Sequence, residues 1–324
     1  MIMLTWQMTE TEGLLGFADF RDMVAAVAKI LRIPKDDVYE RLIWEAMRTG
    51  WNTRRALEEF GATPFVYNDC MEQLYERTDA FVFELLVWHL RPLCQEWDKR
   101  VIQEITAQFK DRRDIEILVL GDGIGTHSLK LATIGYRVCY FELAGPSATL
   151  AQYRFRRCDQ EHHIKVIQKP AEIPTKGFDV IVCLEVLEHV SDPPEIVANI
   201  WRYLKPEGIA IITEGFGAVL PQYPTHLEKN LKYNGKTAEL FVHAGFRVLK
   251  IYPDEKPFVF QKTDKEDLFR FATLRRAQKH RRLGLIKPVG KIPARAIAAI
   301  VFGCRRLLEL IQSVGNRIFL YLPF

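Results

Sequence analysis

From Ile115 to Thr263 the chain alternates short, nearly continuous apolar runs with amphipathic stretches of helical spacing, and that alternation leaves few architectures open. The runs are IEILVL (115–120), RVCYFEL (137–143), HIKVIQ (163–168), FDVIVCL (178–184), IAIITE (209–214), FRVLKIY (246–252) and FVFQKT (258–263). Strands apolar on both sides need cover on both faces, which helices supply in a parallel sheet. Helices are predicted over 127–134, 146–160, 194–203 and 235–244. The reading is an α/β, doubly wound sheet with its ligands at the carboxyl ends of the strands. Only PDEKP and its flanks separate the last two runs, too little for a crossover helix, so they should pair antiparallel as a terminal hairpin.

Ahead of the sheet the pattern is helical throughout. FADFRDMVAAVAKILRI has apolar residues at helical spacing, PKDDVYERLIWEAMRTG opens on Pro34 and closes on Gly50, and 79–109 reads as one long helix or two broken near Pro92. The expected organisation is an N-terminal helical, lid-like region (1–110), the sheet domain (111–264) and a basic, amphipathic helical C-terminal tail (265–324). The net charge of +4 comes from 45 basic and 41 acidic residues, too balanced to argue for a nucleic-acid binder. The excess lies in the tail, where twelve Lys and Arg between Arg270 and Phe324 face one acid, Glu309. Six cysteines without a CxxC pair read as reduced thiols of a cytoplasmic protein, and no metal site is expected. The N-terminus lacks the basic-then-apolar layout of a signal peptide, and no run approaches the roughly 20 apolar residues of a spanning helix.

The chemistry starts at Gly121-Asp122-Gly123-Ile124-Gly125, directly after the first strand. Glycines there permit a tight turn and bring backbone N–H groups against a ligand, with Thr126 expected to cap the following helix. At the end of the second strand Glu142 can accept both hydroxyl protons of a ribose, a need shared by NAD and S-adenosylmethionine. Together the two signals indicate an adenosine.

The stretch FDVIVCLEVLEHVSDPPEIVANIWRYLKPEGIAIITE, 178–214, resembles class I S-adenosylmethionine-dependent methyltransferases of the small-molecule type. In these an E-x-L-E-H-like segment follows strand four and an L-K-P-x-G turn leads into strand five. The resemblance covers about 114–263 and implies a seven-stranded sheet of order 3-2-1-4-5-7-6 with S-adenosyl-L-methionine as cofactor. It implies that Gly121, Asp122, Gly123 and Gly125 form the loop beside the methionine moiety and that Glu142, followed by Leu143, holds the ribose. It further implies that Leu184 to His189 lie under the sulfonium, with Glu185 near the methyl donor. Val119 stands where members commonly carry an acid, and QKPAEIP lacks the usual Asp for the adenine amino group, leaving Gln168 as an amide partner.

Two histidines on the active-site side, His226 and His189, are candidates for the base that a hydroxyl acceptor would require, His226 being preferred and His189 read as structural. Asp192-Pro193-Pro194 arrives too late, and without a following aromatic, for the D-P-P motif of base-methylating enzymes; the prolines suit the first turn of a helix. Tyr67, Asn68, Tyr75 and Trp88 in the leader are either an aromatic acceptor pocket or the face packed on the sheet. The tail reads as a surface for anionic membranes, an RNA contact or a helix docked on its own domain. The expected activity is methyl transfer to a small-molecule or lipid-like acceptor at oxygen, with possible peripheral membrane contact and no nucleic-acid partner. The alternatives are an RNA or protein methyltransferase docking through the tail and a non-catalytic scaffold that keeps the fold.

Overall fold

A computed structural model describes residues 14–110, 112–252 and 256–263, so the expected C-terminal tail, 265–324, lies outside the described residues. The strands are β1 (Glu116–Leu120), β2 (Arg137–Phe141), β3 (Ile164–Ile167), β4 (Phe178–Leu184), β5 (Leu204–Thr213), β6 (Phe246–Ile251) and β7 (Phe258–Lys262). They form one sheet in the order 3-2-1-4-5-7-6. The first five run parallel, as in the pairing of Leu118 with Cys139 on one side and Ile181 on the other. β7 is antiparallel to both β5 and β6, the latter as expected for strands only six residues apart in sequence.

β1 neighbours β4 on one side and β2 on the other, so chain direction across the sheet reverses between β1 and β4 and a crevice opens at their carboxyl ends. The continuous apolar character of β1 and β4 matches their burial: Ile117, Leu118, Val180, Ile181, Val182 and Cys183 are all inaccessible to solvent. Helices α7 (Thr126–Thr133), α8 (Pro146–Arg157), α9 (Pro193–Tyr203) and α10 (Thr237–His243) flank the sheet. Pro193 and Pro194 occupy the first turn of α9 behind the N-cap Asp192, whose carboxylate accepts from Glu195 N–H.

The leader contains α1 (Phe20–Leu31), α2 (Lys35–Met47), α3 (Trp51–Phe60), α4 (Asp69–Arg77), α5 (Ala80–His89) and α6 (Pro92–Phe109). Pro92 sits at the start of α6, so the long 79–109 pattern resolves into two helices. Leader residues Met23, Val27, Leu42, Phe83 and Leu86 form one apolar cluster with Ile124 and Leu150 of the sheet domain. Val101 and Ile105 of α6 enter the main core beside β1. The leader therefore shares its core with the sheet. No described helix is long and apolar enough to cross a membrane.

Candidate active site

A cavity of about 450 Å³ lies at the carboxyl ends of β1, β2 and β4, roofed by α4 to α6 of the leader. Gly121 and Gly123 line it, both with positive φ (72° and 52°), as a strand turning sharply into a helix demands. Space around them is as restrictive as the backbone. A Cβ on Gly121 would meet Val186 Cγ2 at 2.7 Å, and one on Gly123 would collide with Leu85 of α5.

Glu142 follows β2 and turns its carboxylate back to the bend, accepting from Gly123 N–H at 2.6 Å and from Leu143 N–H at 2.9 Å. Burial raises this carboxyl to about 7, against the opposing pull of those two N–H groups. Leu143, also on the wall, is among the more exposed large apolar residues. Gln168 follows β3 but is not among the lining residues; nearby Pro170 is. Asp122 has its carboxylate turned inward, accepting from the N–H groups of His127 (3.1 Å) and Ser128 (2.7 Å). It caps α7 in the way expected of Thr126, whose hydroxyl instead accepts from Arg154 at 3.0 Å.

At the end of β4, Leu184 and the following Glu185 and Val186 form the cavity floor. Glu185 has φ of 52° and takes Lys256 Nζ at 2.6 Å, tying this segment to the β6–β7 connection. The two candidate histidines meet edge-on, ring centroids 4.7 Å apart. His189 reaches the cavity wall, whereas His226 is not among the lining residues: it is buried beside His189, stacked on Tyr223 with its Nδ1 3.2 Å from the Gly215 carbonyl. Of the two candidates, His189 is therefore the one that faces the cavity. His189 Nδ1 lies 3.1 Å from the Tyr75 hydroxyl and 3.2 Å from the Thr225 carbonyl. Burial lowers His189 to about 4 and, with the neighbouring His189 ring, His226 to about 2, so both rings are neutral at physiological pH. Glu188, fully buried beside them, is pushed well above the usual carboxylate range by burial and by Glu185.

Tyr67, Tyr75 and Trp88 of the leader line the cavity, joined by Phe81 and Trp97, while Asn68 caps α4 through Met71 N–H. Two sets of side chains among the described residues carry donor atoms of the kind a metal takes, within 4.8 Å of one another: Glu188, His189 and His226, and His89, Asp98 and His127. In the second set His127 and Asp98 already have partners, whereas His89 Nδ1 is buried without a hydrogen bond. His127 places Nδ1 2.7 Å from Asp122 and Nε2 2.9 Å from Asp98, and Asp98 also takes Lys130 Nζ at 2.5 Å. Against the lowering effect of burial, the two carboxylates raise His127 to about 10. Asp98, His127 and Lys130 escaped the sequence reading because each is an ordinary charged residue on an amphipathic helix. The available signal was Asp122, an acid between two glycines.

Residues 118–212 match the family model of a methyltransferase domain. The ubiquinone biosynthesis O-methyltransferase of Rickettsia canadensis is 32% identical over 118 residues, covering 35% of this chain and 48% of that protein. Its counterpart in Rickettsia felis is 32% identical over 133 residues, covering 40% and 51%. The chain thus spans about half the length of the curated relatives it matches. Among solved structures, a phosphoethanolamine N-methyltransferase of Haemonchus contortus in complex with S-adenosyl-L-methionine aligns at TM-score 0.39 and 18% identity, covering 66% of this chain and 49% of that one. With its glycine bend after β1, its strand order and the matched 118–212 segment, the chain carries a class I S-adenosylmethionine-dependent methyltransferase domain.

Proposed function

We propose that this protein transfers the methyl group of S-adenosylmethionine to an oxygen of a small, largely apolar acceptor. The observation that carries the reading is that one cavity contains the glycine bend, Glu142, His189 and a wall of leader aromatics. The relatives' name, ubiquinone biosynthesis O-methyltransferase, supports oxygen as the accepting atom.

The residues present suit the cofactor. Each Glu142 oxygen accepts one backbone N–H and retains a lone pair for a sugar hydroxyl, and Gly121 and Gly123 present backbone without side chains. When bound, the sulfonium supplies an electrophilic methyl group. The work left to the chain is alignment, exclusion of water and removal of a proton. Leader aromatics Tyr67, Phe81 and Trp88 close over the acceptor, and the Leu184–Val186 floor positions the reacting groups. We assign His189 the tautomer in which Nδ1–H donates to the Thr225 carbonyl, with the Tyr75 hydroxyl oxygen accepting beside it, so that Nε2 retains the lone pair that takes the acceptor's hydroxyl proton. His226 packs behind His189 and holds its ring in place. The apolar cavity suits a lipid-like acceptor, with 265–324 as a peripheral membrane contact and the cytoplasm as the setting.

Incubation with tritiated S-adenosylmethionine and fractionated cell extracts tests this reading. Label is expected in small-molecule or lipid fractions as an ether that resists mild base. Label confined to RNA or protein would overturn it.

A further inference from the structure

Between the three positive-φ glycines of the bend stand Asp122 and Ile124, and each is pinned from outside. Asp122 receives His127 Nδ1 at 2.7 Å, while the Ile124 carbonyl receives Arg154 Nη1 at 2.6 Å. Both pins continue into the leader. His127 turns its other ring nitrogen to Asp98 of α6 at 2.9 Å. Arg154 of α8 donates from Nε to the carbonyl of Leu15, ahead of α1, at 2.9 Å. A third contact lies between them, where Leu85 of α5 packs against Gly123.

The bridging groups are shielded from water: Arg154 is inaccessible, and Asp98 and Asp122 are each 5% exposed. Charged hydrogen bonds in such surroundings are strong, and removing one partner leaves the other desolvated and unpaired. Three glycines in five residues give the bend many conformations once it is released. A ligand that needs one of them binds more tightly when that conformation is already fixed.

We propose that the leader is a working part of the cofactor site, with Arg154 and His127 as positioning residues that transmit its docking to the glycine bend. The proposal rests on the reading that S-adenosylmethionine binds at this bend. Linkage makes the effect reciprocal: docking of the leader tightens cofactor binding, and cofactor binding holds the leader down. Residues 14–17 and 92–98 should then answer to a ligand that most of them never touch.

Calorimetric titration of S-adenosylhomocysteine into the full chain tests this, together with hydrogen exchange, well below the melting transition and with folding verified by circular dichroism. Arg154→Met should weaken binding by about tenfold or more, the loss expected for charged hydrogen bonds. Asp98→Asn should weaken it several-fold. Arg154→Lys, able to reach one of the two carbonyls, should recover part of the affinity. In the wild type the ligand should slow exchange in 14–17 and 92–98, a response that a purely structural role for Arg154 does not require. That response and Asp98→Asn decide the matter even where Arg154→Met fails to fold. Unchanged affinity in folded variants, or exchange in the leader indifferent to ligand, overturns the proposal and leaves the cofactor reading standing; no binding by the wild type ends both.

Discussion

The carboxylate of Glu142 accepts the backbone N–H of Gly123 at 2.6 Å, joining the end of β2 to the bend that follows its neighbour β1. The strand order makes the contact possible, since β1 and β2 are adjacent and parallel and their carboxyl ends emerge side by side. It also places a carboxyl raised to about 7 where a sugar's hydroxyls are expected.

That raised value predicts a pH dependence. Below about 7 the free protein holds Glu142 protonated, and two hydroxyl donors favour its charged form, so binding expels a proton. Affinity for S-adenosylhomocysteine should strengthen as pH rises through about 7 and then level off. Glu142→Gln should bind more weakly, with no such rise. Calorimetry in buffers of different ionisation heat measures both the affinity and the released proton. The same shift acts on folding with a fixed sign. The folded value exceeds that of the unfolded carboxyl, so Glu142's contribution to stability is full in acid and fades as pH rises through about 7.

The two histidines should separate kinetically. His189 lines the cavity and His226 does not, so His189→Ala is expected to lower kcat by about 10²-fold or more, in the range of a lost general base. His226→Ala should cost less. With burial holding His189 near 4, its protonation should depress kcat only in acid, as pH falls toward that value, and leave the neutral range flat. Steady-state kinetics across pH on both variants checks the assignment; equal losses would contradict it.

Trp88 and Tyr67 lie on the cavity wall without touching the bend's hydrogen bonds. Trp88→Ala should raise KM for the acceptor by about tenfold, within the energy of a buried aromatic contact, while leaving KM for S-adenosylmethionine near its wild-type value. Initial rates with each substrate varied in turn distinguish the two effects.

Glycine substitutions rank the bend's constraints. Gly61 has φ of 63° with nothing within 4 Å of a Cβ, so Gly61→Ala should cost only the left-handed penalty, about 1 to 2 kcal/mol. Gly125 has φ of 75°, and a Cβ there would meet Phe155 Cζ at 2.5 Å in the packed core. Gly125→Ala should add about 1 to 3 kcal/mol of overpacking to that penalty. Urea denaturation of both variants gives the difference.

Elements whose burial is written in local pattern were legible in the sequence. The 178–184 run became β4 residue for residue, and the helix-free connection before 258 led to the antiparallel β7. β5 begins earlier than its apolar run because Leu204 pairs with Phe178 across a register shift, a tertiary contact with no local signal. The candidate site was readable as far as its backbone devices reached, at Gly121, Gly123 and Glu142. Side-chain direction was not readable: Asp122 points into the fold because His127 and Ser128 hold it, and His226 is buried against His189, a residue more than thirty positions away in sequence. Arg154, buried among apolar neighbours, has partners 139 and 30 residues distant, and nothing in α8 announces them.

A crystal of the full chain grown with S-adenosylhomocysteine tests the central claim most directly. The account predicts the nucleoside in the crevice between β1 and β4, its ribose hydroxyls on the Glu142 carboxylate and its amino-acid end beside Gly121 and Gly123. A crevice closed by Leu85 and the leader aromatics, or a ligand bound elsewhere with Glu142 still folded onto Gly123 alone, would contradict it.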